Sequence, residues 1–76
     1  MEKDLNYYMG LPYTKYVERF DDDDVYFVAF VKELKGCTAT GDTPEEAFEE
    51  LELALHAYLE TKIKYNDHIP DIFYMS

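Results

Sequence analysis

The sequence predicts an α+β fold, in which a three-stranded antiparallel sheet packs on one long helix in the order β-β-β-α. Two segments rich in aromatic and β-branched residues flank a run of four aspartates, a pattern typical of a β-hairpin. The residues Gly-Asp-Thr-Pro-Glu-Glu at positions 41–46 are typical of a helix start. Apolar residues then recur at three- and four-residue spacing to about residue 64. With 76 residues, we expect a single domain over residues 1–76.

The first half of the chain is predicted to be an arm followed by a β-meander. Residues 1–12 form the arm, whose one or two helical turns end at Gly10 and Pro12. Residues 13–42 form the meander, with strands at 13–20, 25–34 and 37–40. The loop between the first two strands consists of Asp21, Asp22, Asp23 and Asp24.

The second predicted strand is apolar on both of its faces. One alternating set is Val25, Phe27, Ala29 and Val31, and the other is Tyr26, Val28, Phe30 and Leu34. A strand of this kind is expected to be covered on both sides. Because one helix covers one face, the second face needs the N-terminal arm, a second subunit or a partner protein.

The predicted helix occupies residues 43–65, with Thr43 as N-cap, Pro44 at the first helical position and Glu46 completing a capping box. Its apolar stripe consists of Phe48, Leu51, Leu55, Tyr58, Leu59 and Ile63. Leu53 and Ala57 lie off this stripe, which indicates a second contact surface. Residues 66–76 are predicted to be an extended segment, in which residues 72–75 can form a short fourth strand at the sheet edge.

The composition fits two interpretations, binding to a basic protein or an acidity that only keeps a small cytosolic protein soluble. The net charge is −10, from 17 acidic and 7 basic residues, so nucleic acids and anionic membranes should be repelled. A basic partner would be attracted, and its association accelerated. Aromatic residues make up 17% of the chain, a high share for so small an interior and typical of interfaces. With neither a signal peptide nor a membrane-spanning segment, we expect a cytoplasmic protein.

The sequence predicts neither a catalytic site nor a cofactor or metal site. Cys37, His56 and His68 are too few for a structural zinc site, and neither histidine has a nucleophile at recognisable spacing. The aspartate run lacks the spacing of a calcium-binding loop, so we interpret it as a solvated hairpin tip. Glu18 and Glu33 suggest a comparison with two-metal nucleases, but the chain offers no obvious third carboxylate. We therefore expect a protein that is not an enzyme.

Two segments resemble the HicB-like antitoxin family, and together the likeness covers nearly the whole chain. Residues 34–60, LKGCTATGDTPEEAFEELELALHAYLE, are similar to its most specific stretch, and residues 3–17, KDLNYYMGLPYTKYV, resemble a common opening. There are two departures. Lys35 stands where proline usually precedes Gly36, and the four aspartates replace a turn that often contains glycine.

The resemblance implies a degenerate RNase H-like fold without the nuclease residues. It also implies an antitoxin that neutralises a HicA-type toxin, a small basic mRNA-cleaving protein, by covering its active surface. Members commonly form homodimers or homotetramers, and many carry a C-terminal DNA-binding module. This chain ends at Ser76, so we expect the short form without that module and without direct nucleic-acid binding.

Two kinds of partner-binding residue are expected. Asp21, Asp22, Asp23 and Asp24 would steer the encounter, and Tyr26, Phe30 and Leu53 would anchor it. The alternative is an orphan oligomeric domain with a structural or small-ligand role and no toxin.

Overall fold

The computed structural model describes residues 4–69 and confirms the α+β fold. The elements are α1 (Leu5–Met9), β1 (Lys15–Asp21), β2 (Val25–Val31), β3 (Thr38–Gly41) and α2 (Pro44–Lys64). The strands form one antiparallel sheet in the order β1-β2-β3. The fourth strand predicted at residues 72–75 lies outside the described residues. Between residues 4 and 69, no helix is long and apolar enough to cross a membrane.

Helix α2 begins as its sequence predicts. Thr43 is in the extended conformation, and its Oγ1 accepts a hydrogen bond from the Glu46 N–H at 3.1 Å. The Glu46 carboxylate in turn accepts from the Asp42 N–H at 3.1 Å, one residue before the usual capping-box partner. The residues of α2 that are fully buried against the sheet are Ala47, Leu51, Leu55 and Leu59.

The strand register divides the sheet into two faces. Val17, Ala29 and Ala39 lie side by side on the inner face, which packs against α2. The residues of the opposite, outer face are Tyr16, Glu18, Phe20, Tyr26, Val28, Phe30, Thr38 and Thr40. Helix α2 packs most extensively on β3, less on β2 and least on β1, so it lies near one edge of the sheet.

The second strand is shorter than predicted. It ends at Val31. The chain then turns, with the Leu34 N–H donating a hydrogen bond to the Val31 carbonyl oxygen at 3.2 Å, and leads through Cys37 into β3. Gly36 has a φ of 85°, a conformation that favours glycine. The placement of Leu34 on the outer face is therefore wrong, because the turn directs this side chain into the core, where it is 1% exposed.

The N-terminal arm packs on the helix side of the sheet. The Asp4 carboxylate caps α1 by accepting from the Tyr7 N–H at 3.0 Å, and α1 then packs against α2. Tyr8, Leu11 and Tyr13 join the core on this side; β1 begins only at Lys15, so the strand predicted from residue 13 starts two residues later. Within the described chain, the arm therefore does not cover the outer face.

Candidate protein-binding surfaces

Two stacked pairs of aromatic rings occupy the outer face. The rings of Tyr16 and Phe30 have centroids 5.0 Å apart and an interplanar angle of 16°. The rings of Phe20 and Tyr26 are 5.4 Å apart at 14°. Each pair consists of directly opposed residues of β1 and β2, so the hairpin register itself brings the rings together.

Glu18 lies between the two aromatic pairs. It is opposite Val28 in the register, with Tyr16 and Phe20 two residues away on either side. Glu18 is exposed, and among the outer-face residues of the three strands it alone carries a charge. This places one carboxylate at the centre of an aromatic surface.

The two cations of β1 lie on the other side of the sheet. Lys15 forms an ion pair with Glu52 of α2, and Arg19 pairs with Asp21, its guanidinium nitrogen 3.4 Å from the carboxylate oxygen. Within residues 4–69, Glu18 has no such partner. The outer face is thus acidic, while the positive charges of the strand are neutralised elsewhere.

The hairpin tip adjoins one of the aromatic pairs. Asp21 belongs to β1, and Asp22, Asp23 and Asp24 form the exposed bend, in which the Asp22 N–H donates to the Asp24 carbonyl at 3.3 Å. Phe20 and Tyr26 form the second register pair from this bend. Among the described residues, no group of three or more His, Cys, Asp or Glu side chains could hold a metal ion.

The structure brings together six of the seven residues predicted to bind a partner. The four aspartates lie at the end of the outer face that carries Tyr26 and Phe30, both of which are half-buried against neighbouring rings. Leu53 does not join them. It is 67% exposed on α2, on the other side of the sheet.

Three further residues of the outer face, Tyr16, Glu18 and Phe20, were not among those predicted to bind a partner. The sequence does indicate that the three share a face, because they alternate with Val17 and Arg19 at the two-residue period of a strand. Aligning the two strands across the aspartate turn would have paired Tyr16 with Phe30 and Phe20 with Tyr26. Tyr16 is 40% exposed, and no element of the described chain packs over this face.

A groove with a volume of about 430 Å³ lies between the free edge of β3 and α2. Its lining residues are Gly36, Cys37, Thr38, Ala54, Ala57, Tyr58, Thr61, Lys62 and Asp67. At one end of it, the Tyr58 hydroxyl donates to the Lys35 carbonyl at 3.3 Å. Burial raises the pKa of the Cys37 thiol, against the weaker opposing effect of the Lys15 charge, so the thiol stays protonated at neutral pH.

Glu33 forms a hydrogen bond that holds it in a turn, apart from Glu18 on β1. It lies in the turn after β2, and its carboxylate accepts a hydrogen bond from the Thr14 N–H at 2.9 Å. Partial burial raises its pKa, but the hydrogen bonds from Thr14 and from its own backbone, together with the charge of Lys32, outweigh this and leave the pKa lowered. Glu18 and Glu33 therefore do not project from adjacent strands, as a two-metal nuclease would require.

The fold and its surfaces define a small acidic α+β protein with an aromatic, acidic sheet face and a groove beside an open sheet edge. The family model for the HicB-like antitoxin of bacterial toxin–antitoxin systems matches residues 13–75, and the chain belongs to this family. A relative is the UPF0150 protein Ta0767 of Thermoplasma acidophilum. It is 41% identical over 49 residues, which cover 64% of this chain and 71% of the relative. No solved structure matches the chain.

Proposed function

We propose that this protein is a cytoplasmic antitoxin that binds and neutralises a small basic HicA-type mRNA-cleaving toxin by covering its active surface. Membership of the HicB-like antitoxin family supports an antitoxin role. The observation that carries the proposal is the outer face, where a carboxylate without an ion-pair partner in residues 4–69 lies between two half-exposed aromatic pairs beside an acidic hairpin tip.

The outer face fits a cationic surface on two grounds. Lysine and arginine side chains bind favourably over aromatic rings, with a gain of about 0.5–2 kcal/mol each. A cation held over the Tyr16–Phe30 or Phe20–Tyr26 pair would also reach Glu18, the carboxylate between them. Stacking and ion pairing would thus act on the same group of the partner.

The hairpin tip would act earlier, during the encounter. Asp22, Asp23 and Asp24 are exposed and adjacent, so their field attracts a positively charged protein and raises its association rate. A toxin that cleaves mRNA needs a basic surface to hold the phosphates. An acidic protein bound to that surface excludes RNA from it, and this inhibition requires neither catalysis nor a cofactor. In this proposal the sheet and helix derive from an RNase H-like fold without its nuclease residues.

The test uses the product of the reading frame beside this chain's gene, which the proposal expects to be a small basic protein. We expect the two proteins to co-purify, RNA cleavage by the basic protein to stop at equimolar antitoxin, and binding to weaken as salt rises. The triple variant Asp22→Asn, Asp23→Asn, Asp24→Asn should slow association severalfold at low salt. The matched control, Glu45→Gln, Glu49→Gln, Glu60→Gln, removes the same charge from exposed positions on α2 and should slow it less. Failure of the two proteins to associate, or salt-independent association, would contradict the proposal.

The alternative is an orphan domain with a structural or small-ligand role and no toxin. The groove between β3 and α2 is the observation that favours it, because a volume of about 430 Å³ falls within the range of small-molecule sites. Absence of binding to the neighbouring basic protein, together with a small molecule retained after purification, would support this alternative.

A further inference from the structure

We propose that the outer face selects arginine over lysine and binds one arginine side chain of its basic partner in a trough across the middle of the sheet. This deepens the proposed function and rests on it for the identity of the partner. Three residues define the trough, Glu18, Val28 and Thr40. Its shape and its preference follow from the strand register, from side-chain size and from charge.

The register places these three residues in one row across the sheet. Glu18 of β1 lies opposite Val28 of β2, and Val28 lies opposite Thr40 of β3. Because neighbouring strands are about 4.8 Å apart, the row extends about 10 Å from the acidic residue to the threonine. Val28 is half-buried, whereas Glu18 and Thr40 are exposed. The row thus has an apolar middle and an exposed polar residue at each end.

Aromatic side chains border this row on both sides. The Tyr16–Phe30 pair lies two residues away in one direction, and the Phe20–Tyr26 pair lies two residues away in the other, each at about 7 Å along the strands. An aromatic ring extends further from the backbone than the branched side chain of Val28. The middle row is therefore lower than the two rows beside it, and this depression is the trough.

The length of the trough fits an extended arginine side chain. From its Cα to its guanidinium carbon such a side chain measures roughly 6–7 Å. A guanidinium paired with Glu18 therefore leaves its aliphatic stem over Val28 and its backbone near Thr40. The stem gains apolar contact with Val28, as long cationic side chains do when only their charged end stays polar. Lysine is of similar length, so length alone does not separate the two residues.

The surroundings of the carboxylate favour a guanidinium over an ammonium group. An ammonium has three donors and is strongly hydrated, but the row offers it a single carboxylate beside the apolar Val28. A guanidinium is more weakly hydrated, pairs with a carboxylate through two parallel hydrogen bonds and stacks on aromatic faces. Arginine thus exchanges its hydration for contacts that the trough supplies, whereas lysine loses hydration that the trough does not replace.

The cations of the described chain leave this position open. Among the residues that the structure describes, no lysine or arginine belongs to the outer face of the three strands. Arg19 is one residue out of phase with that face and pairs with Asp21, and Lys32 comes after the end of β2. A partner's arginine therefore meets Glu18 without displacing a cation of these strands.

The test compares two peptides of equal charge on the full chain. One is an acetylated and amidated glycine–arginine–glycine–arginine–glycine pentapeptide, and the other has lysine in place of arginine. Titrations followed by amide NMR shifts give the dissociation constants and show which residues respond. We expect the arginine peptide to bind at least about fivefold more tightly. The amides of residues 16–20 and 26–30 should shift most.

Two pairs of variants locate the preference. Glu18→Gln should lower the affinity for the arginine peptide to that for the lysine peptide. Glu49→Gln removes the same charge from an exposed position on α2 and should leave the ratio of the two affinities unchanged. Val28→Phe fills the trough and should remove the preference although Glu18 remains, whereas Val28→Thr keeps the branched shape and should retain it. Circular dichroism checks that all four variants remain folded.

Equal affinity for the two peptides, or binding of neither, would overturn the proposal. An arginine preference that survives either Glu18→Gln or Val28→Phe would do the same, as would amide shifts confined to the hairpin tip or to α2. Failure of the proposed function gives a different result. In that case the neighbouring gene's product does not co-purify with this chain, while the preference for the arginine peptide and its loss in Glu18→Gln remain.

Discussion

The backbones of Gly41 at the end of β3 and Ala47 in the first turns of α2 are in direct contact. A Cβ atom added to Gly41 would lie 2.5 Å from the Ala47 nitrogen, closer than van der Waals contact permits. This close approach lets the chain pass from sheet to helix through only Asp42 and Thr43, so that Thr43 can cap the helix.

Gly41→Ala should therefore destabilise the protein by about 1–3 kcal/mol, the usual cost of overpacking, because both clashing partners are backbone. Urea unfolding measures the change. Gly10→Ala is the control, since its added Cβ would lie 3.4 Å from the nearest atom, the Asn6 carbonyl oxygen, and its cost should stay within about 0.5 kcal/mol. Equal losses of stability in Gly41→Ala and Gly10→Ala would contradict the close contact between Gly41 and Ala47.

Substitutions at Leu53 and Leu55 test which side of α2 is buried in the core and which side is exposed. The two residues are on the same helix, but Leu55 is 1% exposed and Leu53 is 67% exposed. Leu55→Ala leaves a cavity between helix and sheet and should cost about 2–5 kcal/mol. Leu53→Ala should change the free energy of unfolding by less than about 0.5 kcal/mol. Urea unfolding of the two variants measures both changes in the free energy of unfolding. A large loss of stability in Leu53→Ala would show that the Leu53 side chain is covered in solution.

Much of the fold could be predicted from the sequence because its signals are local. Thr43, Pro44 and Glu46 define the start of α2 through capping and the restricted φ of proline, and the apolar spacing defines the buried side. Alternation along β2 identifies its two faces. The end of β2 was not predictable in the same way, since Leu34 continues the apolar pattern while a turn of the main chain directs it into the core.

The candidate site depends on relations between strands, and these are less evident in a single sequence. Tyr26 and Phe30 could be assigned to the same face of the strand from the period of β2 alone. The position of Glu18 between two ring pairs needs the hairpin register, which follows from a turn that starts after Asp21 rather than before it. The docking of α1 on α2 depends on tertiary packing, because a helix of five residues is not stable alone.

Glu33 should make a pH-dependent contribution to stability. Hydrogen bonds from Thr14 lower the pKa of its carboxyl from the ordinary value of 4.5, against the opposing effect of burial. The ionised form is thus favoured by folding, so the contribution is fully present above about pH 4.5 and is lost as the pH falls through the lowered pKa. Because the group is largely solvated, we expect about 1 kcal/mol or less.

The measurement for Glu33 is the free energy of unfolding from pH 3 to pH 7. Glu33→Gln should be less stable than the unaltered chain at pH 7, and the two should converge as the pH falls below 4. Glu60→Gln removes an exposed carboxylate of α2 and should leave the pH dependence nearly unchanged. A constant difference between Glu33→Gln and the unaltered chain across this range would exclude ionisation as the cause.

Glu18→Gln should weaken binding of the basic partner about tenfold, equivalent to about 1.4 kcal/mol, if the outer face is the toxin-binding surface. The substitution keeps the shape of the side chain and the packing of the rings, but it removes the charge that would pair with a lysine or arginine. Since this contact would be covered in the complex, the loss should be mainly a faster dissociation rate. Surface plasmon resonance separates the two rate constants.

The control for Glu18 is Glu49→Gln, which removes one charge from the exposed side of α2. It should reduce the association rate slightly through the weaker long-range field and leave the dissociation rate unchanged. The contrast distinguishes direct contact from general attraction, because both variants have the same net charge. If the two variants bind alike, the partner recognises the acidity of the protein as a whole, and the outer face has no particular role in binding it.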